Sequence, residues 1–161
     1  MSAMSAERGA LPSDARDGSD RPLVLVVEDD PETRRFLVDA LTRDRFRTEE
    51  AHNGLQALEK AFASAPDLVL ADIAVPGIDG IELCRRLRAD ARTQTASILA
   101  ITGYDDRHYQ DRAMQAGADR LLTKPCDLDT LLQAIRELVA RRAGRTTFNA
   151  EPVEPAETTG T

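Results

Sequence analysis

The sequence has few of the features that mark membrane, secreted and zinc-binding proteins. No apolar run in its 161 residues approaches the roughly 18 residues that are needed to span a membrane. The opening stretch, MSAMSAERGALPSDARDG, lacks the apolar segment of a secretory signal. The two cysteines, Cys84 and Cys126, are far apart, with no CxxC motif and no paired histidine, so a zinc site or a disulfide framework has little support. We therefore expect a cytoplasmic protein without membrane association.

The sequence also lacks a net positive charge and has very little lysine. The formal net charge is −7, the wrong sign for a domain that grips a phosphate backbone, so we do not expect direct nucleic-acid binding. Of the 21 basic residues, only Lys60 and Lys124 are lysine. Lys124 stands in LLTKPCD, after a short apolar run and directly before Pro125. The use of a lysine at this position, in a chain that relies mainly on arginine, indicates a specific role for Lys124.

Composition divides the chain into one domain and two tails. Residues 1–20 are mainly Ser, Ala, Gly, Asp and Arg, and the end of the chain, residues 144–161, is an acidic stretch rich in Pro and Thr. Neither tail can bury enough apolar surface to fold, so both are predicted to be disordered. The folded domain is predicted at residues 21–143. Its hydrophobic content suffices for one core and leaves no room for a second domain.

Within the domain, short apolar runs alternate with amphipathic stretches. The runs predict five strands, at residues 23–27, 46–51, 67–72, 96–102 and 119–123. The second run alternates poorly and is predicted to be an edge strand. Short loops between alternating strands and helices indicate an α/β fold: a doubly wound, five-stranded parallel sheet with five helices on its two faces.

Helix starts are marked by capping residues. Asp30 is expected to cap the first helix with Pro31 at its first position, Asn53 or Gly54 opens the second, and Asp127 caps the last. The apolar faces predicted for the first two helices comprise Phe36, Leu37, Ala40 and Leu41, then Leu55, Leu58 and Phe62. The segment 105–116 has the thinnest apolar face, mainly Tyr109, Ala113 and Met114.

Polar residues follow several of the predicted strands. Glu28, Asp29 and Asp30 end the first, Asp72 the third, Thr102 the fourth and Lys124 the fifth. Because working groups of such sheets lie at the carboxyl ends of the strands, these side chains should meet at one edge. Gathered carboxylates repel one another unless a cation or protons neutralise them, and hard oxygen ligands suit Mg²⁺. Asp30, before Pro31, is better explained as the helix cap alone.

The sequence resembles the receiver domain of two-component response regulators. The resemblance rests on LVLVVEDDPETRRFL, DLVLADIAVPGIDGIELCRRLR, ILAIT and AGADRLLTKPCDLDTLLQAI, in this order and spacing, and spans about residues 22–142. It implies the flavodoxin-like receiver topology. It also implies a stand-alone, single-domain receiver that is not an enzyme but a phosphorylation-controlled signalling switch.

The resemblance also implies roles for the polar residues. Asp72 would be the phosphoacceptor, which takes a phosphoryl group from a histidine kinase or a phosphotransfer protein. Glu28 and Asp29 would hold Mg²⁺, together with the Asp72 carboxylate and the backbone carbonyl of Ala74. A carboxylate placed in line is a competent nucleophile for phosphoryl transfer, and a metal ion with one ammonium can neutralise the charge.

Further implied roles concern switching. Thr102 would bind the new phosphoryl group, and Lys124 would pair with one of its oxygens, aimed inward by a cis bond at Pro125. Members of the family usually carry Tyr or Phe three positions before the lysine, where this chain has Leu121. Tyr104 is expected to take over part of that aromatic role.

The output would be binding of a downstream protein through the surface 105–142, or onward transfer in a phosphorelay, and a homodimer is left open. One alternative is a Mg²⁺-dependent aspartyl phosphohydrolase, which the motif VEDDP and the absence of a cap insertion disfavour. Another is a receiver-shaped interaction module that is never phosphorylated.

Overall fold

The structure, a computed structural model, describes residues 20–73, 78–103 and 107–147, with side chains up to residue 143 in the last helix. Within these residues, five strands alternate with five helices. The strands are β1 (Leu23–Val27), β2 (Arg47–Ala51), β3 (Leu68–Asp72), β4 (Ser97–Thr102) and β5 (Arg120–Thr123). The helices are α1 (Pro31–Arg43), α2 (Gly54–Ser64), α3 (Gly80–Ala89), α4 (Arg107–Gln115) and α5 (Leu128–Thr147).

The strands form one parallel sheet in the order β2-β1-β3-β4-β5. The predicted doubly wound fold is confirmed, and so is the prediction that β2 is an edge strand. Sequence order reverses beside β1, so the ends of β1 and β3 lie next to each other. Crevices that bind ligands in such sheets open at this reversal, outside the carboxyl ends of the strands.

Two hydrophobic clusters cover the two faces of the sheet. Alternate β1 residues point to opposite faces: Leu25 and Val27 pack with α2, α3 and α4, whereas Val24 and Val26 pack with α1 and α5. Both faces are therefore dry, and all residues of β1, β3 and β4 are buried. Burying one Val or Leu side chain stabilises the fold by about 1.5–3 kcal/mol, so this core fixes the strand ends firmly.

Capping side chains start the helices where the sequence predicts. The Asp30 carboxylate accepts a hydrogen bond from the Thr33 amide at 2.9 Å, with Pro31 at the first helical position. Asn53 and Asp127 cap α2 and α5 in the same way, at 2.7 and 2.8 Å. Each cap satisfies an amide without an intrahelical partner. The caps of α1 and α5 also set where the chain turns after β1 and β5.

The predicted helix faces need two corrections. Phe36 and Leu55 were expected to pack on the sheet, but they are 56% and 58% exposed. In α1 the buried stripe consists of Leu37, Ala40 and Leu41, and Phe36 lies just outside it. Helical spacing defines an apolar stripe, whereas the neighbouring elements decide how wide a stripe is covered.

The last two helices, α4 and α5, lie in the segment expected to form the partner surface, and α5 also reaches the expected end of the domain. Of the described side chains of α4, only Ala113 is buried, which confirms the thin apolar face, although Met114, expected on that face, is exposed. Helix α5 ends at Thr147, past the boundary expected at residue 143.

No helix in the described part of the chain is both long and apolar enough to cross a membrane. The two predicted tails lie almost entirely outside the described residues.

Candidate functional site

The polar side chains singled out in the sequence do meet at one edge of the sheet. Asp72 is the last residue of β3, its strand neighbour β4 ends at Thr102, and Glu28 directly follows β1. Glu28, Asp72 and Thr102 are 5%, 8% and 1% exposed, while Asp29 is exposed. Two carboxylates are thus held in a largely dry crevice, where charge interactions are strong.

Lys124 reaches into this crevice and pairs with Asp72. Its ammonium donates a hydrogen bond to Oδ2 of Asp72 at 2.8 Å. This bond, assisted by the negative charges of Asp72, Glu28 and Asp29, raises the pKa of Lys124 above its usual value. The pair compensates a carboxylate that would be costly to bury alone.

The backbone around Lys124 directs this contact. The Lys124 amide donates to the carbonyl of Thr102 at 2.7 Å, which continues the pairing of β5 with β4. The peptide bond between Lys124 and Pro125 is cis, as expected. The ammonium is a compact charge on a flexible stem, which suits a group that must reach one oxygen beside other charges.

Glu28 is the second buried acid. Burial raises the pKa of its carboxyl above the usual range, and repulsion from Asp72 adds to the rise, whereas the Asp30 amide, which donates to its Oε2 at 3.0 Å, opposes the shift. The raised pKa means that the crevice favours loss of one negative charge. A bound proton or a nearby cation would both relieve the repulsion.

The residues fit a hydrated magnesium ion better than a fully enclosed metal site. Within the described stretches, no group of three or more acidic, histidine or cysteine side chains is arranged to hold a metal ion by itself. Mg²⁺ commonly binds through one or two carboxylates and keeps several waters or phosphoryl oxygens. Glu28 and Asp72 supply two adjacent carboxylates, with exposed Asp29 beside them.

Two of the predicted site residues, Ala74 and Tyr104, lie outside the described residues. Leu121, which occupies the position where an aromatic residue was expected, is partly buried and packs against the cluster formed with α2, α3 and α4. A leucine in this position belongs to the packing of that face of the sheet.

Arg34 is a site residue that the sequence analysis missed. Its Nη1 donates to the carbonyl of Glu28 at 2.8 Å and approaches the carbonyl of Asp29 at 3.5 Å. Its Nε donates to Oε1 of Glu50, on β2, at 3.1 Å. Arginine is so abundant in this chain that no sequence pattern separates Arg34 from its neighbour Arg35.

An apolar groove adjoins the site. It is lined by Phe36 and Leu37 of α1, Ile101 of β4, and Pro125, Cys126, Leu128 and Leu131 around the start of α5. Glu28 and Lys124 also line it, so the groove, called the Phe36 groove below, is continuous with the acidic crevice. It is the exposure of Phe36 that gives this part of the surface its aromatic character.

Comparison with known proteins gives a consistent result. The family model of the response regulator receiver domain matches residues 24–136. The response regulator ArlR of Staphylococcus aureus is 33% identical over 119 residues, which are 74% of this chain and 53% of ArlR. The chain therefore spans about half the length of the curated relatives that it matches.

Solved structures show the same fold. The receiver domain of a signal transduction histidine kinase from Syntrophus aciditrophicus superposes with a TM-score of 0.70 at 30% identity, covering 74% of this chain and 91% of that one. The chemotaxis response regulator CheY4 of Vibrio cholerae gives a TM-score of 0.70 at 25% identity, covering 73% of this chain and 98% of that one.

Proposed function

Since the chain belongs to the response regulator receiver domain family of two-component signalling, we propose that it is a switch controlled by phosphorylation of Asp72. Members of this family interact with histidine kinases and with downstream effectors. The observation that carries the proposal is the buried Asp72 carboxylate at a strand end, paired with Lys124 and adjacent to Glu28.

The proposed reaction is a phosphoryl transfer between two side chains. A carboxylate oxygen of Asp72 attacks the phosphorus of a phosphohistidine on the donor protein, so an O–P bond forms as the N–P bond breaks. The electron pair of the broken bond stays on the histidine nitrogen. The product on this chain is an acyl phosphate.

Charge neutralisation explains why this crevice suits the reaction. Bound Mg²⁺ would supply positive charge opposite the phosphoryl oxygens. Glu28 and Asp29 would hold it, together with Asp72 and the carbonyl of Ala74. The Lys124 ammonium, now on Oδ2 of Asp72, is within reach of a phosphoryl oxygen attached there, and Thr102 is the hydroxyl residue at the end of the next strand. A dry site strengthens each of these interactions.

The donor would be a histidine kinase or a phosphotransfer protein, and the output a protein contact or a further transfer. The surface 105–142 is proposed for the downstream partner. Helix α4 within it buries one side chain of those described, and an element that buries little is displaced at low cost. With Leu121 packed in the core face, we propose that the response travels through movement of backbone and helix rather than through rotation of an aromatic ring.

Intact mass spectrometry tests the central claim. The chain is incubated with Mg²⁺ and acetyl phosphate, and we expect a mass increase of one phosphoryl group that disappears in Asp72→Asn. Asp39→Asn, at an exposed position of α1, is the matched control and should be phosphorylated like the wild type. An adduct that persists in Asp72→Asn would assign another acceptor. A wild type that never gains mass would instead favour an interaction module that works without phosphorylation.

A further inference from the structure

Arg34 connects three parts of the chain around the acidic crevice. It lies one turn into α1, and its side chain is 20% exposed. One edge of its guanidinium faces the backbone carbonyls of Glu28 and Asp29, at 2.8 and 3.5 Å from Nη1, while Nε donates to Glu50 at 3.1 Å. A planar guanidinium with several fixed donors can bind the two carbonyls and the Glu50 carboxylate at the same time.

The same short segment is tied to β2 in a second way. The Glu28 amide donates to the carbonyl of Ala51 at 2.9 Å, directly after Glu50 on the edge strand. The amide and the carbonyl of Glu28 are thus both fixed, the first by β2 and the second by Arg34. The Glu28 carboxylate accepts from the Asp30 amide at 3.0 Å, which sets the side chain as well.

We propose that Arg34 is a positioning residue for magnesium: it holds the Glu28–Asp29 backbone so that these acids face the ion. The inference rests on the proposed function, because it concerns the same site. The hydrogen bonds of Arg34 reach the carbonyls of Glu28 and Asp29 and the Glu50 carboxylate. Arg34 acts through the backbone that carries the two acids.

The charge of Arg34 and its hydrogen bonds predict opposite effects of its removal on Mg²⁺ binding. As a positive charge beside the acids, it repels an incoming cation, so electrostatics alone would let its removal strengthen Mg²⁺ binding. As a brace on two carbonyls, its removal would loosen the acids and weaken binding. The ion pair with Glu50, whose side chain is 46% exposed, is of the kind that contributes little by itself. We therefore expect the geometric effect to prevail.

Calorimetric titration of the full chain with Mg²⁺ separates the two effects. Arg34→Lys keeps the charge and loses the planar fork, whereas Arg34→Met loses both. Both should weaken Mg²⁺ binding by about tenfold, the size reported for residues that orient metal ligands. Arg35→Lys and Arg35→Met, at the exposed neighbouring position, are the matched controls and should stay within about twofold of the wild type. Equal or tighter binding by Arg34→Met would overturn the inference.

The metal-free protein gives an independent readout. NMR amide shifts of Glu28, Asp29 and Asp30 should change in both Arg34 variants without Mg²⁺, and remain unchanged in the Arg35 variants. Glu50→Gln removes only the far anchor and should weaken Mg²⁺ binding in the same direction, whereas Glu49→Gln, whose carboxylate is bound by Ser64 instead, should not. The comparison of Glu50→Gln with Glu49→Gln tests the role of Arg34 even if the Arg34 variants fold poorly.

The outcomes also separate this inference from the proposed function. If the wild type takes up no Mg²⁺, the metal-dependent reaction fails and the role of Arg34 fails with it. If the wild type binds Mg²⁺ and is phosphorylated, while all Arg34 and Glu50 variants bind the ion equally well, only the role of Arg34 is wrong.

Discussion

Lys124 illustrates how far a single residue can be understood from the sequence. Lys124 is one of only two lysines in an arginine-rich chain, and its position after an apolar run indicated a specific task. The structure places its ammonium on the buried Asp72 carboxylate at 2.8 Å. The sequence predicted that both side chains lie at one edge of the sheet, but not that they form this ion pair, because Asp72 ends β3 and Lys124 follows β5, 52 positions later. The pairing depends on the strand order, which only the folded sheet defines.

Glu28 offers a prediction at the same scale. Folding raises the pKa of its carboxyl, mainly through burial, so the fold favours the protonated acid. The stability that this provides is present below the usual pKa of a glutamic acid, about 4.3, and is lost as the pH rises through the raised value. Glu28→Gln should therefore match the wild type near pH 4 and exceed its free energy of unfolding at pH 7 by about 1 kcal/mol without Mg²⁺.

Urea unfolding followed by circular dichroism measures this difference at both pH values. Mg²⁺ should reverse the order at pH 7, because an ion that binds the folded state stabilises the wild type more than the variant. Glu59→Gln, an equal change of charge at an exposed position of α2, should show neither effect. If Glu28→Gln were less stable than the wild type at pH 7 without Mg²⁺, the folded state would not disfavour the charged form of this acid, which would contradict its raised pKa.

At the scale of elements, the sequence pattern predicted the type and position of strands and helices better than it predicted which of their side chains are buried. β1 was placed correctly at both ends, and the caps Asp30, Asn53 and Asp127 were all identified, because short-range spacing and capping chemistry determine them. Phe36 and Leu55 were assigned to packed faces and proved exposed. Whether the margin of a helix is covered depends on its neighbours, and these come from distant parts of the chain.

The exposed Phe36 leads to a prediction about α1. In the proposed reaction a donor protein would bring its phosphohistidine to Asp72, so part of its surface would lie against the residues beside the crevice. The Phe36 groove is apolar and shares Glu28 and Lys124 with that crevice, so we expect the donor to contact it. Phe36→Ala should slow transfer from a cognate kinase by about tenfold, since burying an aromatic anchor at an interface is worth at least about 1–2 kcal/mol.

Comparison of two phosphodonors tests this contact. Acetyl phosphate needs no docking surface, so it should phosphorylate Phe36→Ala at the rate of the wild type. Leu55→Ala, equally exposed but on α2, is the control and should respond normally to both donors. A Phe36→Ala variant that is slow with acetyl phosphate as well would point to damage in the crevice rather than to lost docking.

At the scale of the molecule, the fold class and the edge of the sheet that carries the site follow from the sequence. Alternating strands and helices indicate a doubly wound sheet, and its chemistry lies at the carboxyl ends of the strands. Contacts such as that of Arg34 with the carbonyls of Glu28 and Asp29 could not be predicted. Every residue has a backbone carbonyl, so a side chain that binds carbonyls does not require particular residue types as partners. Neither the spacing nor the composition of the sequence can therefore predict such a contact.

At the opposite end of the sheet, Arg142 of α5 contacts residues next to the starts of three strands. Asp67 precedes β3, and its Oδ2 accepts from the Leu23 amide while its Oδ1 accepts from Arg142 of α5, each at 2.8 Å. Arg142 also donates to the carbonyl of Thr95 at 3.1 Å. The end of α5 thus ties together the starts of β1 and β3 and the approach to β4, so a domain cut before Arg142 would lose this connection.

Two shortened chains test this role. A chain of residues 20–147 should keep the free energy of unfolding of the full chain within about 0.5 kcal/mol, because it retains the core and these contacts. A chain of residues 20–139 should lose about 1–3 kcal/mol, since Asp67 and Thr95 are left without Arg142. Urea unfolding gives both values, and Arg142→Met in the full chain separates the lost contacts from the shortened helix. Equal stability of 20–147 and 20–139 would show that the domain ends before Arg142, whereas a weaker 20–147 would assign a stabilising role to residues 1–19 or 148–161.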